Sequence, residues 1–209
     1  MITPREFWNR RSQVYDDQVG GVYAQAYDKT VSRSLNYLRP EDQVLEFACG
    51  TGIVTLRLAP HVGRLWAIDI SDEMAARAAA KVEAAGLSNA RVTNTDLFDA
   101  SLPQGTFDAV LAYNVLCYVE DLQGLLSRVR SLLKPGGVFL SATDCLGDGI
   151  TREGLRKFWK SHTGSMPYVA FFSIKKLERE ITRAGFAVLE RENLHTAPPN
   201  LFVAARRKD

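Results

Sequence analysis

Short apolar runs alternate along this chain with longer segments in which apolar residues recur every three or four positions. The apolar runs predict strands at 43–47, 65–70, 91–95, 107–113 and 138–143. Between them, Ser71 precedes a helical repeat that Gly86 ends, and a leucine-rich helical stripe over 122–133 ends at the Pro135-Gly136-Gly137 break. This alternation is typical of a parallel sheet that helices cover on both faces.

The C-terminal part has one helix followed by two strands. Apolar residues over 174–181 have helical spacing, and strands are predicted near 187–191 and 201–205. The corner between those strands is short enough to make them an antiparallel hairpin. The fold class is therefore α/β, with a Rossmann-like seven-stranded sheet of six parallel strands and a last antiparallel one. A tyrosine-rich segment over 1–38 has a helical pattern and precedes the sheet.

The charge balance bears on the class of partner. The chain has 26 Lys and Arg residues against 24 Asp and Glu, and the basic residues are spread along it. Nucleic-acid binding needs a concentrated basic face, so no nucleic-acid partner is expected. The sequence has no apolar run of signal-peptide or membrane-spanning length, which predicts a cytoplasmic protein. Its three cysteines are widely separated, and no metal site is predicted.

The strand predicted at 43–47 leads directly into a turn of small residues. The turn consists of Ala48, Cys49, Gly50, Thr51 and Gly52. Such a turn lets the backbone approach a ligand at the carboxyl end of a strand. A dinucleotide fold would need a third glycine where Thr55 stands. Glu46, at the strand end, would repel a pyrophosphate but would complement a cationic ligand.

Two further acids follow the next two predicted strands. Asp69 lies about 20 residues beyond the turn, where an acid can hydrogen-bond the hydroxyls of a ribose. Asp96 follows the third strand, where it can accept a hydrogen bond from an adenine amine, although Asp99 lies close enough to be confused with it. Acids at three successive strand ends predict a ligand made of adenosine with a cationic tail.

From Val14 onward, the chain resembles the class I S-adenosylmethionine-dependent methyltransferases, in particular the small-molecule branch with the quinone-biosynthesis and bacterial phospholipid N-methyltransferases. The strings that carry the resemblance are LEFACGTG, AIDISDEM, TNTDLFD, FDAVLAYNVLCYVED and LLKPGGVFL, with the final hairpin. The resemblance implies S-adenosyl-L-methionine as cofactor, its methionine part on the glycine turn and its ribose at Asp69. It further places adenine beside Ile70, Met74, Asp96 and Leu97, and backbone carbonyls near Tyr113 and Asn114 towards the methionine ammonium.

The predicted acceptor side lies mostly outside these strings, with Tyr118 as the exception. One domain is expected over 1–209, with a helical lid at 1–38, a cofactor-binding core at 39–144, an irregular acceptor-pocket insertion at 145–172 and a C-terminal helix and hairpin at 173–209. The residues predicted to contact the acceptor are Trp8, Tyr15, Tyr118, His162 and Tyr168. For the N-terminal aromatics, simple packing of an amphipathic helix is the alternative to a lid.

The sequence leaves the acceptor and the catalytic groups open. The expected reaction is methyl transfer to a small molecule, at an oxygen, nitrogen, sulfur or carbon atom, by a monomer or homodimer. The alternatives are methylation of a lipid head group, with peripheral membrane contact through basic residues near 5–11 and 152–160, or of a macromolecule. A cofactor-binding regulatory protein without turnover is the alternative from another class, because every motif concerns the cofactor.

Overall fold

The structure is a computed structural model that describes residues 2–21 and 23–209. Met1 and Val22, which belong to the predicted lid at 1–38, lie outside the described residues. Of the helices in the described ranges, none has both the length and the apolar character needed to span a bilayer.

Seven strands form one sheet. They are β1 (Gln43–Phe47), β2 (Arg64–Asp69), β3 (Ala90–Asn94), β4 (Phe107–Tyr113), β5 (Leu133–Asp144), β6 (Phe186–Thr196) and β7 (Pro199–Arg207). Their spatial order is β3-β2-β1-β4-β5-β7-β6, and β7 is antiparallel to both of its neighbours while the ladders among β1 to β5 are parallel. The predicted fold class, with a last antiparallel strand, is confirmed.

Helices lie on both faces of the sheet. They are α1 (Pro4–Arg11), α2 (Tyr15–Val19), α3 (Ala24–Leu35), α4 (Thr55–Leu58), α5 (Asp72–Ala84), α6 (Leu122–Leu132), α7 (Arg152–His162) and α8 (Ile174–Arg183). Because successive side chains of a strand point to opposite faces, β1 contributes to two separate cores. Leu45 packs in a cluster with Leu126 of α6, and Val44 packs in another with Leu58 of α4 and Ala78 of α5.

The strand boundaries differ from the prediction at the C-terminal half of the sheet. The Pro135-Gly136-Gly137 break lies inside β5, which begins at Leu133 instead of 138. Leu133 already pairs with Phe107, and the register then shifts so that Ala109 pairs with Val138. Gly136, with φ 72°, lets the extra residues form this irregularity in the ladder. β6 and β7 also extend beyond their predicted ranges, since their ladder continues to the hairpin corner.

The prediction of an irregular segment at 145–172 is wrong for its middle part, which forms helix α7. Thr151 caps this helix by accepting a hydrogen bond from the Gly154 backbone N–H at 3.0 Å. Its buried positions are Gly154 and Lys157, whereas Leu155 and Trp159 are exposed. A helix that buries a glycine and a lysine shows no apolar stripe in the sequence, which is why its periodicity gave no signal.

Candidate ligand-binding site

Two adjoining cavities lie at the carboxyl ends of the parallel strands. One, of about 290 Å³, is called the inner cavity, and the other, of about 1130 Å³, the outer cavity. Trp8, Tyr15, Asn114 and Tyr118 line both of them. The two cavities therefore share a wall, and ligands placed in each would meet beside these four side chains.

The inner cavity brings together residues from the ends of four strands. Nine of the predicted cofactor residues line it: Ala48, Gly50, Asp69, Ile70, Met74, Asp96, Leu97, Tyr113 and Asn114. The other four predicted cofactor residues, which do not line it, are Glu46, Cys49, Thr51 and Gly52. Asp96 and not Asp99 belongs to the wall, which separates the two acids that the sequence left ambiguous. Among the described residues of this wall there are two acids and no lysine, arginine or histidine.

Asp69 connects the glycine turn to the end of β2. Its Oδ2 accepts a hydrogen bond from the Gly50 backbone N–H at 2.8 Å, and its Oδ1 accepts one from the Ser71 N–H at 2.8 Å. Burial raises the pKa of Asp69, and these two backbone donors counteract that shift. Each carboxylate oxygen retains a further lone pair, so the group can still accept hydrogen bonds from a ligand.

The glycine turn has one side towards the cavity and one side towards the core. Ala48 and Gly50 have φ of 53° and 57°, the left-handed region that favours glycine and that is strained for Ala48. A Cβ on Gly52 would lie 3.1 Å from the Cβ of Ala78 in α5, so this glycine permits close packing of the turn on that helix. The Thr51 hydroxyl donates to Asp16 of α2. The predicted ligand contacts of Cys49, Thr51 and Gly52 are thus not supported by the cavity geometry.

Glu46 is also turned away from the inner cavity. Its side chain points towards α4, where the Thr55 hydroxyl donates to Oε2 at 2.6 Å, and the residue is only 2% exposed. Burial raises the pKa of Glu46 to about 7, and the hydrogen bond from Thr55 partly opposes this shift. The sequence suggested that this carboxylate faces a cationic ligand. Because Glu46 does not line the inner cavity, its charge can act on a ligand there only through the electrostatic potential and not by direct contact.

The raised pKa predicts a pH-dependent stability. Glu46 is protonated more readily in the folded chain than in the unfolded one, so its stabilising contribution is present below about pH 4.5 and lost as the pH rises through about 7. The free energy of unfolding should therefore fall by up to about 3 kcal/mol between these pH values. Glu46→Gln should remove this dependence in urea unfolding curves, whereas Glu83→Gln, at an exposed position of α5, should retain it. An unchanged pH dependence in Glu46→Gln would contradict the assignment.

The first N-terminal helix lies across the start of α5, next to Asp69. The Asn9 amide donates to Asp72 at 2.8 Å, and its carbonyl oxygen accepts a hydrogen bond from the Ser71 hydroxyl at 2.5 Å. This places Trp8 against both cavities, where its ring contacts Tyr118 and Tyr15 edge-on at centroid distances of 5.3 and 6.1 Å. Three aromatic residues predicted to contact the acceptor, Trp8, Tyr15 and Tyr118, thus lie together.

The segment 145–172 forms the other side of the outer cavity. Its ends are held by hydrogen bonds from Gly147 N–H to Phe172 O at 2.8 Å and from Ala170 N–H to Cys117 O at 2.7 Å. Helix α7 then turns one side to the cavity. The residues of this segment that line the outer cavity are Ile150, Thr151, Arg152, Glu153, Arg156, Lys157, Lys160 and Met166. The segment that was predicted to form the acceptor pocket thus lines the outer cavity, mainly through polar and basic side chains.

The histidine and tyrosine predicted in that segment do not line either cavity. His162 is exposed, its Nδ1 lies 2.9 Å from the Phe158 carbonyl oxygen, and its ring stacks on Phe158 at a centroid distance of 3.9 Å. Tyr168 is 43% exposed, outside both walls. The helical period of α7 turns His162 to the side opposite the outer cavity, and Tyr168 lies beyond the end of α7, so the cavity geometry does not support acceptor contacts for either residue.

His195 lies near the end of β6, one residue before the hairpin corner. Because β7 is antiparallel and Asn200 pairs with Asp144, that corner is at the carboxyl edge of the parallel strands. The His195 ring packs against Tyr23 at a centroid distance of 5.7 Å, and Tyr23 lines the outer cavity.

A buried polar network at the end of β5 was missed by the sequence analysis. Lys157 Nζ of α7 donates to Asp144 Oδ2 at 2.9 Å, and both residues are less than a tenth exposed. The Asn200 amide of β7 donates to Asp144 Oδ1 and to Asn114 Oδ1, each at 2.9 Å. Burial lowers the pKa of Lys157, but the Asp144 carboxylate beside it raises the pKa overall, so the amine is protonated. The members of this network lie on α7, on β5, on β7 and directly after β4, so no local sequence pattern could reveal it.

The end of β4, where Tyr113 and Asn114 lie, is fixed by hydrogen bonds to neighbouring segments. The Tyr113 hydroxyl is 2.6 Å from the Ser34 hydroxyl of α3, which directs the ring into the core. Asn114 follows with φ 56°, and its N–H donates to the Ala142 carbonyl oxygen at 2.7 Å. A non-glycine residue in this conformation costs of order 1 kcal/mol, a form of strain often found at functional sites.

Known proteins share this fold and parts of this sequence. A family model described as a methyltransferase domain matches residues 44–137. The demethylmenaquinone methyltransferase of Symbiobacterium thermophilum is 29% identical over 181 residues, which cover 82% of this chain and 70% of that protein. A solved complex of DhpI with SAH is 25% identical, with a TM-score of 0.75 over 98% of this chain and 95% of that one.

Further similarities concern the fold or only part of a protein. A chain from a Haloferax volcanii complex that contains the Trm112 methyltransferase activator has a TM-score of 0.79 at 16% identity, with full coverage of both chains. That likeness shows the fold alone. This chain spans 5% to 49% of the length of the first five curated relatives that it matches.

Proposed function

We propose that this chain, which belongs to the class I S-adenosylmethionine-dependent methyltransferases, binds S-adenosylmethionine in the inner cavity and methylates a small molecule held in the outer cavity. The observation that carries this proposal is the wall shared by the two cavities at Trp8, Tyr15, Asn114 and Tyr118. A donor and an acceptor in adjoining cavities can meet there without crossing solvent.

The residues of the inner cavity fit the proposed cofactor. Ile70, Met74 and Leu97 offer apolar surface for an adenine ring, and the buried carboxylate of Asp69 offers acceptors for ribose hydroxyls. S-adenosylmethionine, when bound, supplies a methyl group on a positively charged sulfur. Acids without basic neighbours on this wall favour a cationic ligand, because an unpaired buried carboxylate gains from an opposite charge.

The contribution of the protein to the transfer is positioning and exclusion of water. Displacement at a sulfonium methyl needs the acceptor atom in line with the sulfur–methyl bond, and holding two reactants in that geometry accelerates a reaction strongly. Helix α1, fixed by Asn9 to the start of α5, keeps Trp8 over both cavities. Burial raises the pKa of Tyr118, so its hydroxyl stays protonated and available as a hydrogen-bond donor at the shared wall.

A small molecule is the acceptor that the outer cavity favours. About 1130 Å³ is close to the upper range of small-molecule sites, and aromatic side chains from α1 and α2 enclose it together with α7. A macromolecular substrate would need an open groove. The lipid head group remains an alternative source of such a ligand.

Calorimetry tests the cofactor assignment. S-adenosylmethionine and S-adenosylhomocysteine are expected to bind with dissociation constants of about micromolar order, and NAD⁺ is expected not to bind, because acids surround the turn where a pyrophosphate would lie. The opposite preference would overturn the proposal.

Transfer is tested with methyl-labelled cofactor and a cell extract. We expect label in the small-molecule filtrate, whereas label only in protein, or in no product, would exclude a small-molecule methyltransferase.

A divalent metal is not expected to be required. Among residues 2–21 and 23–209, no group of three or more histidine, cysteine or acidic side chains is placed to hold a metal ion. The end of β4 offers Asn114 without an adjacent pair of aspartates that could chelate magnesium. Methyl transfer should therefore continue at an unchanged rate in EDTA. Loss of turnover in EDTA that magnesium restores would show that this prediction is wrong.

A further inference from the structure

We propose, on the basis of that function, that the acceptor carries an anionic group, a phosphate or a carboxylate, which the basic side of the outer cavity holds while an apolar body extends towards Trp8 and Tyr118. The basic residues of the outer wall are Arg11, Arg152, Arg156, Lys157 and Lys160, and its acidic residues are Asp144 and Glu153. The wall of the outer cavity thus carries a net positive charge, whereas the wall of the inner cavity carries a net negative charge.

The two acids are already paired with two of these cations. Glu153 accepts hydrogen bonds from Arg156 at 2.9 and 2.7 Å. Asp144 accepts one from Lys157 at 2.9 Å. Arg11 donates to the neutral amide of Gln18, and within the described residues no acid forms an ion pair with Arg11, Arg152 or Lys160. Three positive charges of the outer wall are therefore available to a ligand.

The spacing of these cations concentrates them on one side of α7. Arg152, Arg156 and Lys160 recur every four residues, which places them in one row along the helix, and all three line the outer cavity. Guanidinium and ammonium groups in a row match the several oxygens of a phosphate or carboxylate. The exposed row lies towards solvent, and the buried Lys157 lies towards the shared wall.

Aromatic and thioether side chains complete the cavity. Phe7 and Trp8 contact edge-on at a centroid distance of 5.1 Å, and Trp8 contacts Tyr118 at 5.3 Å. Met166 lines the same cavity from the opposite segment. An apolar body would be buried among these groups while its anionic end stays near the exposed cations. The inferred acceptor is an amphiphilic anion whose reactive atom lies at its apolar or middle part.

Binding of 1-naphthyl phosphate and of 1-naphthol tests this inference. With S-adenosylhomocysteine present, calorimetry should show the phosphate binding at least about tenfold more tightly than the neutral naphthol. The double variant with Arg152→Gln and Lys160→Gln, called the cavity variant, should bind 1-naphthyl phosphate about tenfold more weakly. The matched control is Lys175→Gln with Arg183→Gln, a lysine and an arginine that are also eight residues apart at exposed positions of α8, and it should leave phosphate binding unchanged. Equal affinity for both probes, or an unaffected cavity variant, would overturn the inference.

Vesicles distinguish the two sources of such an anion. Leu155 and Trp159 lie exposed on α7 beside the basic row, at 50% and 64%, so a lipid surface has to be tested. Co-sedimentation with phosphatidylglycerol vesicles but not with phosphatidylcholine vesicles, lost in the cavity variant, would identify a lipid head group. Its absence, together with phosphate-selective binding, would identify a free small molecule, and both results support the anionic class.

The proposed function fails separately from this inference. If S-adenosylhomocysteine does not bind the wild-type chain, the methyltransferase proposal is wrong whatever the naphthyl probes show. If it binds but the two probes bind equally, only the anionic acceptor is wrong.

Discussion

Lys157→Met is expected to lower the free energy of unfolding by about 3–5 kcal/mol, because it leaves the Asp144 carboxylate buried without its cation. Lys157 and Asp144 are 9% and 8% exposed, and their Nζ–Oδ2 distance is 2.9 Å. The neutral amide of Asn200 is the other donor to Asp144, and it cannot compensate a full charge. Urea unfolding followed by circular dichroism measures the effect.

Two further variants separate the buried charge from lost packing. Lys157→Met combined with Asp144→Asn removes both charges and should recover most of the loss, since a buried pair replaced as a whole is often neutral. Lys160→Met, at an exposed position of the same helix, should change stability by no more than about 0.5 kcal/mol. If Lys157→Met alone lies within about 1 kcal/mol of wild type, Asp144 does not depend on this lysine.

Asp69→Ala is expected to weaken binding of S-adenosylmethionine by about 10- to 150-fold, which corresponds to about 1.4–3 kcal/mol. The change removes the proposed acceptors for the ribose hydroxyls. It also removes the acceptor of the Gly50 and Ser71 backbone N–H groups, which keep the glycine turn against the end of β2. Calorimetry of the variant, with its unfolding curve as a check of folding, measures both consequences.

Asp99→Ala is the matched control for this change. Asp99 is an exposed acid that follows β3 and does not line the inner cavity. Its side chain stabilises a local turn by accepting a hydrogen bond from the Ser101 N–H at 2.8 Å. Its removal should leave cofactor affinity unchanged. Unchanged affinity in a folded Asp69→Ala would instead remove Asp69 from the binding site.

Much of the proposed cofactor site was predictable because it depends on local order along the chain. Parallel strands bring their carboxyl ends to one edge, so residues directly after β1, β2 and β3 meet there whatever the surrounding packing. Gly50, Asp69 and Asp96 follow this rule and line one cavity. Their prediction needed only the strand pattern and the residue type at each strand end.

The direction of side chains was less predictable. Glu46 and Gly50 are four residues apart, yet Glu46 faces Thr55 of α4 and Gly50 faces the inner cavity. In a strand, a shift by one residue reverses the face, and a sequence string does not say on which face the ligand lies. The same limit explains why Cys49, Thr51 and Gly52 belong to the turn without lining the cavity.

The sequence by itself determined the order of the strands, the helices α5, α6 and α8, the glycine turn and the acids at successive strand ends, because hydrophobic period and chain order specify them locally. Only the tertiary structure decided the lining of the outer cavity, the proposed acceptor site. Helix α7 buries Lys157 instead of an apolar stripe, and its partners Asp144 and Asn200 lie on β5 and β7. Those contacts depend on how distant segments pack, and a buried charge is stable only where its partner is brought to it.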